Sequence, residues 1–167
     1  MSIDQTSLER VKAALGIELP GEYERLVRDF PPDIPDAEEY DISTNADWLI
    51  QHNVDLRADP AFFFSREQPW PRHLYIFGED GNGNAFYLDL REGPSPAVYF
   101  LDHEQPDTDH IVAARSISEW LTQVRAHLEE YRANAMALEA VERRRPQFRS
   151  ESGRQARPKP WWQFWRR

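Results

Sequence analysis

Apolar residues recur at helical intervals through the first thirty positions. Leu8, Val11, Ala14 and Leu15 share one face of a helix predicted over roughly 7–15, which Thr6 or Ser7 can cap and Gly16 can end. Pro20 suits the first turn of a second short helix over 20–29, with Tyr23, Leu26, Val27 and Phe30 on one side. Pro31, Pro32 and Pro35 then open an acidic loop from Asp33 to Asp41. Residues 44–57 predict a third helical segment, with Asn45 or Asp47 near its start and Trp48, Leu49 and His52 on one face. Residues 58–72 are aromatic and punctuated by Pro, an irregular packed segment.

The pattern then changes period. His73 to Gly78 reads as a strand, Glu79-Asp80-Gly81-Asn82-Gly83 as a turn tolerant of positive φ, and Asn84 to Leu90 as the return strand. Gly93-Pro94-Ser95-Pro96 turns the chain into a third strand, 97–102, and residues 103–108 connect to a fourth, 109–114. Strands so closely spaced imply an antiparallel meander. Ser116-Ile117-Ser118-Glu119 is a capping box that opens a long helix. Ile117, Leu121, Val124, Leu128, Tyr131, Ala135 and Leu138 follow at alternating spacings of four and three, a stripe whose early part packs on the sheet. Beyond about 131 the stripe outruns what a small sheet covers, and the helix should stop before Pro146. The expected organisation is one domain over 1–132, a helical extension over 133–145, and a linker and tail over 146–167.

Charge divides the 167 residues differently. The net charge is −9, yet residues 1–140 carry 27 acids against 11 bases while residues 141–167 carry 2 against 9. Three of the six Trp also fall in the last seven residues. An acidic body is repelled by nucleic-acid phosphates and attracted to basic protein surfaces. With no Cys, a disulfide framework, a zinc-thiolate site, an iron–sulfur cluster and a Cys nucleophile are excluded, which fits a reducing compartment. The N-terminus lacks the apolar core of a secretory signal and no stretch approaches 18 apolar residues, so the expected location is the cytoplasm.

Candidate chemistry is sparse. Asp80, Asn82 and Asn84 occupy the first, third and fifth places of a calcium-type loop, but Ala85 stands where Gly is needed and Arg91 where a bidentate Glu is needed. The segment is therefore read as a hairpin turn. Asp102, His103 and Glu104 with Asp107, Asp109 and His110 form a His/carboxylate cluster in a Pro-containing connection, read as an exposed loop or a partner contact rather than a metal site. No nucleophile elbow, P-loop or strand-to-helix dinucleotide fingerprint is present, so neither catalysis nor a cofactor is expected. Asp33, Asp36, Glu38, Glu39, Asp41, Glu79, Asp80, Asp89, Asp102 and Glu104 can make a negative surface, with Asp36, Glu38, Glu39, Asp41, Glu79, Asp80, Asp102 and Glu104 as its candidate partner-binding residues. The tail residues Trp161, Trp162, Phe164, Trp165, Arg166 and Arg167 are dense in aromatic surface and positive charge. Three readings compete for them: folding back on the acidic body or a second copy, lying on an anionic membrane surface, and contacting the partner.

Several ordered segments resemble the SMI1/KNR4 (SUKH) family. They are Leu19 to Tyr23, Phe77 to Leu90, Val98 to Glu104 and Ser116 to Leu121, within a likeness that spans roughly residues 5–130. The chain departs from the family pattern after Phe30, where Pro31-Pro32-Asp33 stands in place of an Asn-Gly-Gly. The resemblance implies an α+β fold: a mostly antiparallel sheet of about four to six strands packed against helices, with the long C-terminal helix added. It also implies a non-enzymatic role. Bacterial members are frequently immunity proteins that neutralise a cognate toxin domain, and eukaryotic members are regulatory or scaffold proteins. The leading expectation is thus an antitoxin that binds a protein partner stoichiometrically and occludes its active site. The alternative is a non-catalytic adaptor whose basic aromatic tail docks on membrane or protein.

Overall fold

A computed structural model describes residues 2–34, 41–59, 69–104 and 111–144, with backbone alone at 41 and 138–144. Helices α1 (Gln5–Leu15) and α2 (Gly21–Arg28) come first, then strand β1 (Asp41–Ile42) and helix α3 (Ala46–Ala58). Strands β2 (Leu74–Glu79), β3 (Ala85–Asp89), β4 (Val98–Leu101) and β5 (Ile111–Ala114) follow, with a 3-10 turn at Leu90–Glu92, and helix α4 (Ile117–Arg144) closes the described chain. The five strands lie side by side in sequence order, each pair antiparallel. The α+β class and the antiparallel meander are as the sequence predicts.

Three local details differ from the sequence reading. The cap of α1 is Asp4, whose carboxylate accepts the Ser7 N–H at 2.8 Å, so the helix begins at Gln5, ahead of Thr6 and Ser7. Asp is as good an N-cap as Ser, and its negative charge also favours the helix N-terminus. Leu8, Val11 and Leu15 are buried as expected, but Ala14 is exposed. The second difference is β1, a two-residue strand inside the predicted acidic loop; so short an element shows no alternation to read. The third is Trp120, which the four-three stripe passes over and which is nevertheless fully buried.

The sheet carries apolar side chains on both faces. On one face Phe77 meets Tyr23 of α2 at 5.6 Å, Phe86 of β3 at 6.5 Å and Trp120 of α4 at 5.4 Å, and Phe86 also touches Phe100 and Trp120. The other face gathers Leu74, Ile76, Ala85, Tyr87 and Leu101 with Leu56 of α3 and Trp70, and Trp48 and Tyr99 pack partly exposed against them. Burying aromatic side chains of this size supplies the largest part of the driving force, and the edge-to-face pairs add to it.

Two polar devices fix the helices on this sheet. Between Ile76 and Gly78 the register of β2 slips against β3. Two successive carbonyls then find partners outside β3: Phe77 O accepts the Ser43 N–H at 3.0 Å, and Ile76 O accepts Asn53 Nδ2 at 2.8 Å. Asn53, fully buried in α3, also accepts the Ile76 N–H at 3.0 Å and donates to Leu49 O at 2.8 Å. Its carboxamide offers the same donor and acceptor as a peptide unit, so it continues the strand edge where β1 ends. The second device is Glu22. Its carboxylate accepts Ser95 Oγ at 2.5 Å, the Ser118 N–H at 2.8 Å and Ser118 Oγ, tying α2 to the β3–β4 connection and to the first turn of α4. Next to it, Tyr23 shares a buried hydrogen bond of 3.1 Å with Tyr75, and burial raises both phenols well above their ordinary range.

The capping box of α4 forms in a shifted version. Ser116 Oγ accepts the Glu119 N–H at 3.1 Å, while the Glu119 carboxylate reaches back to the Arg115 N–H at 2.9 Å. The chain divides into two compact units at Thr122/Gln123. In the second, Val124 and Leu128 are buried, and residues 131–137 are exposed, Tyr131 and Met136 included.

Asn53→Ala strips three hydrogen bonds from a dry site and should cost about 2–4 kcal/mol, read as a lower midpoint in urea denaturation. Asn53→Asp should cost at least as much, because a carboxylate would then face two carbonyl oxygens. Glu22 predicts a pH dependence. Partial burial pushes its carboxyl up, but the Ser118 and Ser95 donors outweigh burial and hold it below the ordinary 4.5. A carboxyl depressed in the folded state stabilises fully above its unfolded value and loses that contribution as pH falls through the folded value. Wild type should therefore exceed Glu22→Gln in stability at pH 7, and the gap should close as pH drops below about 4.5. Parallel urea titrations at pH 7 and pH 3 measure it.

Candidate functional site

The strand register collects charge at one end of the sheet. Asp41 pairs with Glu79, Glu79 with Ala85, and Ala85 with Leu101, so these four residues run in a row across β1 to β4. Asp80 follows the last residue of β2, and Asp102 and Glu104 follow the last of β4. Five of the candidate partner-binding acids, Asp41, Glu79, Asp80, Asp102 and Glu104, thus belong to one end of the sheet. Asp36, Glu38 and Glu39 lie outside the described residues, as do Asp107, Asp109, His110 and the tail residues Trp161, Trp162, Phe164, Trp165, Arg166 and Arg167. Asp89 lies at the far end of β3, where the Arg91 guanidinium beside it holds its carboxyl below the usual range. Asp33 is exposed just after α2.

The acids at this end do different work. Asp80 is 1% exposed, and its carboxylate accepts the Asn82 N–H at 2.8 Å, the Asn84 N–H at 3.1 Å and Asn84 Nδ2 at 2.6 Å. Its backbone N–H donates to Asn84 O at 3.2 Å, which closes the turn. Gly81 and Gly83 supply the left-handed backbone that such a turn needs, at φ of 72° and 90°. Asp102, 5% exposed, accepts the Glu104 N–H at 2.9 Å. Asp80 and Asp102 therefore shape the loops from inside, and Glu104 is the exposed carboxylate of this pair of turns. Glu79 is intermediate: its side chain is 32% exposed and Oε1 lies 3.0 Å from His52 Nε2. The His52 ring stacks on Trp48 with centroids 4.5 Å apart and planes 13° off parallel.

The two turns are joined. Asn84, 1% exposed, accepts at Oδ1 both the His103 N–H at 2.9 Å and His103 Nδ1 at 2.8 Å. The His103 ring lies against Gly83, where a Cβ would sit 3.6 Å from it. The hairpin turn is where the sequence predicts it; what the sequence does not announce is that Asn84, just ahead of β3, joins this turn to the next. The His52–Glu79 contact spans helix and strand, and no local pattern announces it. Among the described residues, no group of three or more His, Cys, Asp or Glu is placed to hold a metal ion. No helix among them is long and apolar enough to cross a membrane.

The sequence model of the SMI1 / KNR4 family (SUKH-1) matches residues 2–123. The chain belongs to the SMI1/KNR4 family. The match ends within one residue of the boundary between the two compact units. No curated protein and no solved structure matches the chain significantly. In this SMI1/KNR4 domain the motif residues that carried the resemblance have structural duties. Glu22 and Tyr23 anchor α2, Asp80 and Asn84 build the first turn, and Ser116 and Glu119 start α4.

The division between supporting and exposed acids is measurable. Asp80→Ala leaves three N–H donors without their acceptor and should cost about 2–4 kcal/mol. Glu104→Ala should change stability by no more than about 0.5 kcal/mol. Thermal denaturation of the two variants beside wild type checks both.

Proposed function

We propose that this protein is an immunity protein, which binds a cognate bacterial toxin domain in the cytoplasm and neutralises it by covering the active site. Membership of the SMI1/KNR4 family carries the reading, since its bacterial members are frequently immunity proteins that act by stoichiometric binding. The charge of the body supports it. Residues 1–140 hold a large excess of acids, and Asp41, Glu79 and Glu104 belong to the end of the sheet opposite the β3–β4 connection that Glu22 binds. A nuclease-like toxin with a basic cleft is the partner such a surface fits, with carboxylates standing where phosphates otherwise bind. Asp36, Glu38 and Glu39, shortly before Asp41 in the chain, add to the same excess of acids.

The test is co-expression with the toxin domain encoded beside its gene. Cells should survive, and the two proteins should elute as a stable one-to-one complex. Toxicity undiminished by this protein, with no complex on gel filtration, overturns the reading. Electrostatic steering adds a kinetic signature: the association rate should fall about tenfold or more between 20 mM and 500 mM salt.

A further inference from the structure

The hydrogen bonds between the two turns determine where the proton sits on His103. A backbone N–H only donates, so Asn84 must present its oxygen to the His103 N–H at 2.9 Å. A carboxylate only accepts, so the Asp80 oxygen at 2.6 Å must face the Asn84 NH₂. Both constraints select the same orientation of the amide. The Asn84 oxygen is then also the atom 2.8 Å from His103 Nδ1, and an amide oxygen cannot donate. Nδ1 therefore carries hydrogen, and in the neutral ring Nε2 keeps its lone pair. Nε2 has no hydrogen-bond partner among the described residues, and the ring is only partly buried against Gly83.

This is a costly arrangement for a loop whose sole task is to turn. A carboxylate and an amide, each 1% exposed, close the turns and at the same time hold one imidazole of the opposite turn. Fixing a first contact through a buried second one is how recognition groups are held ready for a partner. We propose that Asp80 and Asn84 lock His103 as the Nδ1–H tautomer, so that its Nε2 serves as a preset hydrogen-bond acceptor for a Lys or Arg side chain of the protein partner. The exposed Glu104, next to it in the chain, reinforces the preference for a cationic donor over an anionic one. The proposal deepens the immunity reading and rests on it for the identity of the partner, but the tautomer stands independently.

The first measurement is a long-range ¹H–¹⁵N correlation spectrum of the full-length wild type at pH 8, with the His103 signals assigned by their loss in His103→Gln. A protonated, pyrrole-like Nδ1 and an unprotonated, pyridine-like Nε2 are expected. The Nε2–H tautomer, which free histidine prefers, overturns the proposal with no variant of the buried pair required. The second measurement uses the co-expressed toxin domain. His103→Leu should weaken the complex about tenfold, and His103→Gln, which retains an acceptor oxygen, should recover part of the loss. Equal affinity of wild type and His103→Leu overturns the acceptor role while leaving the immunity reading intact. A wild type that binds no toxin overturns the immunity reading and, with it, the partner assignment, whereas the spectrum still decides the tautomer.

Discussion

The register slip in β2 is the constraint around which the domain is arranged. A bulge presents two carbonyls in succession to the same outside space, and neither can stay dry and unpaired. The short strand β1 reaches one through Ser43, and the helix α3 must bring Asn53 to the other. A single amide thus sets both the height and the rotation of α3 on the sheet edge. Other contacts follow from that placement: Leu56 enters the core beside Trp70, Arg57 donates to Leu15 O of α1 and to Arg72 O, and His52 arrives 3.0 Å from Glu79. Apolar residues alone would allow α3 to slide or turn, because leucines tolerate repacking. Two directional bonds to the backbone of Ile76 do not.

The opposite face is organised by a second set of polar ties, again at positions where packing by itself is permissive. Tyr23 and Tyr75 exchange a hydrogen bond inside the aromatic layer, and Glu22 gathers donors from two elements far apart in sequence. The motif Leu19-Pro20-Gly21-Glu22-Tyr23 therefore reads as an assembly instruction. Pro20 precedes the helix, Glu22 ties its start to α4 and the β3–β4 connection, and Tyr23 plugs the core. This explains how residues with structural duties can carry a family resemblance.

What could be read from the sequence divides along the range of the interactions. Gly16, Asn45, Ser116 and the Asp-Gly-Asn-Gly turn act on neighbours within a few positions, and each was legible in its place. The short apolar runs of β2 to β4 and the burial of Ile117 are local patterns too. The two-residue strand β1 was not legible, because its pairing is dictated by the bulge in β2 and not by anything in Asp41-Ile42. Trp120 falls outside the stripe since its ring is drawn to Phe77 and Phe86, which lie on strands. For the acidic surface, composition showed the excess of carboxylates but not their depth. Asp80 and Asp102 are separated from Glu104 only by what surrounds them, and that depends on which N–H groups the turns leave pointing inward.

That difference in depth changes how the charge of the domain should be understood. A buried carboxylate that accepts three N–H bonds is neutralised locally by dipoles, and it projects little field towards an approaching partner. An exposed one contributes its full charge to steering, subject to screening by salt. At the acidic end of the sheet each turn holds one of each kind: Glu79 partly exposed beside Asp80 inside, and Asp102 inside near Glu104 outside. The inner pair gives the turns their rigidity and the outer residues give them their sign. A surface built this way can change its exposed side chains without losing its shape, because the bonds that hold the turns belong to buried residues. For a family whose members meet different partners, such a separation lets specificity vary over an unchanged fold.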